Sequence, residues 1–211
     1  MHTTVAPKDK YVISKGSTFF FSADISSDFS RDDESWMTYE DGNKVPLRHD
    51  YTNKIIGVKS NPDPSSMTPS NGAYFSAPAL FLGDQRASYN QELGFKLKII
   101  DQGPVATQED IVITGMVNGR STRISLSITS QNNSLPSIQM QDYTFRLHEN
   151  DEFSWTPSGM TSMEFMSALS NITSFRIRGS FVTDGTGFLD NFKLQTAVRG
   201  GGSESANWIE R

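Results

Sequence analysis

A chain of 211 residues with a formal net charge of −5 can bury a sizeable core without metals or disulfides, and it lacks the basic footprint of a nucleic-acid binder. No apolar run approaches the roughly 20 residues of a membrane span, and the polar start, Met1-His2-Thr3-Thr4 leading to Lys8, Asp9 and Lys10, holds no signal peptide. That start fits a cytosolic protein or a fragment alike, and the absence of cysteine leans by itself towards a reducing compartment.

Taken in order, residues 1–16 read as a polar lead-in with a short strand at 11–13, and residues 17–23 (STFFFSA) as a first full strand. Residues 24–34 are acidic and serine-rich, which predicts a loop before Trp36 and Tyr39. Asp41-Gly42-Asn43 marks a turn, residues 54–59 (KIIGVK) a short strand, and the three prolines of residues 61–72 a loop, since proline cannot donate to a ladder. Residues 74–100 pass through Gly83-Asp84, a turn signal, into a strand where Phe95, Leu97 and Ile99 alternate with Lys96, Lys98 and Ile100.

Val117-Asn118-Gly119-Arg120 lies between two alternating segments, 110–116 and 121–129, which predicts a hairpin with Ile124, Leu126 and Ile128 facing inward. Residues 137–149 form a long strand with Tyr143, Phe145 and Leu147 on one face. Thr161 and Glu164 fit a capping box, opening one short helix whose Phe165, Met166 and Leu169 share a face. Strands at 174–182 and 188–197 close the chain, before Gly200-Gly201-Gly202 and Trp208. Eight to ten strands and one helix predict an all-β, antiparallel jelly-roll β-sandwich. One domain spans residues 17–198, between the lead-in and a flexible exit at 199–211.

Motifs for chemistry are absent. His2, His49 and His148 have no second ligand at metal spacing, and His148-Glu149 does not extend to HExxH. There is no nucleophile elbow, Walker A loop or dinucleotide fingerprint. Carboxylates could serve a glycosidase in pairs, but Asp32-Asp33-Glu34 diverge along the chain, and no motif links Glu92, Glu109 and Glu149. Asp24, Asp184 and Asp190 are the oxygen ligands a calcium ion would draw on, though no EF-hand loop is present. The chain reads as a non-enzyme with no catalytic residue, metal or cofactor. Six cations point outward from predicted strands: Lys96, Lys98, Arg123, Arg146, Arg176 and Arg178. Should their strands adjoin in one sheet, they would form a basic face for a sulfated glycan. Asn132 and Asn171 each begin an N-x-S/T sequon at an element end.

Together these motifs resemble the laminin IV type A domain, the L4 module of laminin α and γ chains and perlecan, and most of all that of a laminin γ chain. The resemblance rests on Trp36 after an acidic pair and on Tyr74, Pro78, Phe81-Leu82-Gly83-Asp84 and Ser88-Tyr89. It continues through residues 143–149 (YTFRLHE) with Trp155, residues 169–179 (LSNITSFRIRG), Gly187-Phe188-Leu189-Asp190 and Trp208-Ile209-Glu210. It implies a secreted, non-enzymatic basement-membrane module inserted among the EGF-like repeats of a laminin short arm, with a fold similar to carbohydrate-binding modules. The implied partners are flanking repeats and other laminin segments, with matrix glycans or matrix proteins beyond them. Asn171 matches a sequon of laminin γ relatives. Asn191 replaces a usual acidic residue, which weakens the calcium idea, and the cysteines of flanking repeats are absent, so the lack of cysteine no longer speaks for the cytosol. A glycan-binding module, of carbohydrate-binding or heparan sulfate-binding type, is the alternative.

Overall fold

The computed structural model describes residues 20–60, 72–100, 109–128, 136–150, 155–181 and 185–199. The strand expected at 11–13, nearly all of the proline-rich loop and the glycine-rich exit lie outside them. In chain order the strands are β1 (Phe20–Ser27), β2 (Met37–Glu40), β3 (Asn43–Val45), β4 (Leu47–Asp50), β5 (Ile55–Lys59) and β6 (Ala73–Ser76). They continue with β7 (Glu92–Ile99), β8 (Ile111–Val117), β9 (Arg120–Leu126) and β10 (Gln141–Arg146). The helix α1 (Ser162–Leu169), β11 (Ser174–Arg178) and β12 (Thr186–Arg199) complete the order.

The strands form two six-stranded antiparallel sheets. One runs β10-β7-β12-β5-β4, with β1 also paired to β12; the other runs β3-β2-β6-β11-β8-β9. From β5 onward, the chain changes sheet at every connection between strands except the β8–β9 hairpin, so each sheet presses its apolar face onto the other. Leu93, Phe95, Leu97 and Ile99 of β7 are buried, and Gly94, Lys96 and Lys98 face out. The hairpin turns at Asn118 (φ 50°) and Gly119 (φ 75°), both in the left-handed region that a type I′ turn demands. Asp41 and Gly42 repeat that geometry between β2 and β3.

Several expectations need adjusting, and of the two closing strands β11 stops at Arg178 while β12 runs from Thr186 to Arg199. The first strand runs on to Ser27, because Asp24 through Ser27 pair with Gln195 through Phe192. On β10 the ladder is shorter than residues 137–149, although the Ile99 amide still donates to Ser137 O and the Leu147 amide to Gln91 O. In α1 the capping box forms as read, but the buried stripe is Phe165, Ala168 and Leu169. Met166 is only half-buried, since it lies one residue round from Phe165 rather than three or four.

Strand β12 buries both Leu189 and Phe192, three residues apart, which strict alternation forbids. An irregularity resolves this. Asp190 pairs with Lys96 and Lys193 with Gly94, so β12 spends one residue more than β7 over the same span. Asn191 takes up the bulge at φ 48°, a conformation its short polar side chain tolerates. Phe192 can then pack with Trp36, Phe81 and Phe175, with centroids 5.0, 4.7 and 5.5 Å away, joining the two sheets through edge-on rings.

Candidate functional site

On the outer face of the first sheet, β10, β7, β12 and β1 lie side by side around a concavity of about 270 Å³. Gly94 is part of its lining, and its register partners are Thr144 on β10 and Lys193 on β12. The surrounding charges are mixed, since Asp24, Glu92 and Asp142 share the lining with Lys96 and Lys193. Lys96 Nζ stands 3.8 Å from Asp142 Oδ1, an open pair with little hold on either side chain. Beside the concavity, Asp190 is opposite Lys96 in register; burial pushes its carboxyl above the ordinary value, against the pull of Lys96.

The six candidate cations do not gather on one face. Lys96, Lys98 and Arg146 belong to the first sheet, and Arg123, Arg176 and Arg178 to the second, whose outer surface looks the other way. Most are engaged by neighbours. Lys98 Nζ lies 4.9 Å from the centroid of Phe188, Arg176 stands over Tyr74 and Arg123 pairs with Glu109. Arg178, expected to be solvated, is buried against Asp110. A basic face spanning all six therefore does not exist, because it required strands of opposite sheets to adjoin.

The carboxylates of the acidic run bind backbone. Glu34 Oε1 accepts from the amides of Asp28 and Phe29, Asp32 from Glu34 and Asp33 from Ser35. Glu149 accepts from Tyr89 Oη at 2.9 Å, Glu109 holds Ser125 of β9 in the second sheet, and Glu92 is on β7 of the first. Asp184 lies outside the described residues; among those described, no three His, Cys, Asp or Glu side chains lie close enough to hold a metal ion. His49 Nε2 donates to Phe29 O, and His148 stacks on Tyr89 at 5.5 Å. Asn132 and His2 lie outside the described residues. Asn171 is exposed just past α1, and Thr173 of its sequon donates to Thr114 O.

The stretch around Phe81-Leu82-Gly83-Asp84 acts as a clasp. Gly83 pairs with Ile172, the Gln85 amide donates to Leu169 O, and the Asn90 amide donates to Leu147 O. These bonds tie the loop to the end of α1 and to the exit from β10. The concavity itself was not read from the sequence, because its lining comes from four strands distant along the chain. One local signal for it exists: Gly94 occupies an outward position of an otherwise strong strand.

The family model described as Laminin B (Domain IV) matches residues 74–210. Laminin-like protein lam-2 of Caenorhabditis elegans is 34% identical over 197 residues, covering 90% of this chain and 11% of that protein. Laminin subunit gamma-1 of Homo sapiens is 36% identical over 187 residues, with 88% and 11% covered. The L4b domain of human laminin alpha-2 shares the fold, with a TM-score of 0.63 at 11% identity over 83% of this chain and 98% of that one. The chain thus spans 11% of the length of the two curated relatives. By the family match and these relatives, the chain belongs to the laminin B (domain IV) family.

Proposed function

We propose that this chain is a non-catalytic module inserted among the EGF-like repeats of a laminin short arm, with residues 17–198 as one domain. The observation that supports this reading is the pairing of the first and last described strands. Phe20 stands opposite Arg199, and antiparallel partners lie about 5 Å apart. A domain whose entry and exit are cross-strand neighbours can bulge from a rod of repeats without lengthening it. Laminin γ chains are secreted basement-membrane proteins, and the module works in that matrix. Its partners are the flanking repeats and other laminin segments, and Asn171 and Asn132 carry N-linked glycans there.

Excising residues 20–199 from a secreted short-arm fragment and closing the gap with a short linker tests the insertion. The expected product is secreted, and in electron micrographs its arm keeps its contour length but loses one lateral globule. An arm shortened by the width of a domain would overturn the insertion reading.

A further inference from the structure

We infer that the Gly94 concavity is a binding site for a short neutral saccharide. Glycine inside a strand costs conformational entropy and packing, so a strand glycine usually has a local reason. In Gly57 and Gly115 the reason is space: a Cβ on Gly57 would sit 2.8 Å from the Phe188 ring, and one on Gly115 would collide with the Ala168 carbonyl. Gly94 has no such reason. Its φ lies outside the left-handed region, and a Cβ there would meet only Tyr143 O at 3.7 Å and Thr144 Oγ1 at 4.0 Å, ordinary contacts. The fold accepts a side chain at 94, and what its absence provides is open space at the concavity, where a ligand can approach the backbone.

The lining decides the ligand class. Phe95 and Tyr143 are core residues whose rings are buried beneath the sheet, so the outward groups are polar. The carboxylates, the amides of Asn191 and Gln195, and the Thr144 hydroxyl supply donors and acceptors in mixture. Sugar hydroxyls both donate and accept, and a carboxylate or amide can serve two adjacent hydroxyls at once. With three carboxylates against two ammonium groups in the lining, a sulfated chain gains no net attraction there, and an apolar peptide side chain would meet mostly polar groups. The inference is independent of whether the module is an insertion.

The test is a printed array of neutral and sulfated oligosaccharides probed with the whole chain, followed by NMR titration of the bound neutral sugar. Binding of a neutral oligosaccharide is expected, with amide shifts centred on Gly94, Thr144 and Lys193. Gly94→Leu should keep its melting temperature and bind at least about tenfold more weakly, the loss expected when a hydrogen-bonded sugar contact is displaced. Gln195→Ala, a half-exposed change that leaves the core intact, should also weaken binding and serves if Gly94→Leu does not fold. No neutral sugar bound, binding of sulfated chains only, or affinity unchanged in both variants would each overturn the site.

Discussion

Arg178 Nη1 and Asp110 Oδ1 meet at 3.3 Å, and both side chains are sealed from solvent although Arg178 points away from the sandwich core. The guanidinium also donates from Nε to Ser180 O and lies over the Phe181 ring, 4.9 Å from its centroid. A strand position that alternation marks as wet is thus closed over by its neighbours.

Removing one partner of such a pair leaves a buried charge without its counter-ion, which costs far more than an exposed pair would. Asp110→Ala is expected to lower unfolding free energy by about 3–5 kcal/mol, and Asp110→Ala with Arg178→Met to recover much of that loss. Urea denaturation of the single and double variants reads both. Equal stability of the two variants would mean that the pair's charges are not what matters.

Phe145 packs beside the stacked pair of Tyr143 and Phe95 on the inner face of the first sheet, with centroids 6.4 and 6.0 Å away. Phe145→Ala should cost about 3–5 kcal/mol through lost burial and the cavity left behind. A melting temperature unchanged from the parent would contradict its place in the core.

Helix α1 rests its Ala168 carbonyl against Gly115 of β8. Gly115→Ala forces the helix away from the strand, at a cost of about 1–3 kcal/mol. Hydrogen exchange should locate the loss in residues 162–169, and protection unaltered there would show that the helix yields freely.

Asp190 carries the opposite sign. Burial raises the pKa of its carboxyl above the ordinary 3.8, so the folded chain holds that proton more tightly than the unfolded one. Its charge weakens the fold above the folded pKa, and the penalty vanishes as pH falls below the unfolded value. Asp190→Asn should therefore melt higher than the parent at neutral pH, with the gap closing in acid. A gap that widened on acidification would reverse the assignment.

Local physics was legible. Alternation in β7, positive φ at Asn118 and Gly119, and the Thr161–Glu164 capping box each depend on residues a few positions apart. The family signature was legible too, but its role emerged only in the packed molecule: Trp36 and Phe81 meet at the sheet interface, while Tyr89 and Trp155 flank Phe165 of the helix.

The residue pattern by itself determined an antiparallel β chain with one capped helix, because periodicity and turn chemistry are written locally. Tertiary structure alone decided which strands adjoin. That choice divided the six cations between two outer faces and buried Arg178 with Asp110. It also put the bulge at Asn191 and set Gly94 between Thr144 and Lys193. Strand order follows from burying apolar faces of segments distant along the chain, and no short window of sequence records which partner a strand will find.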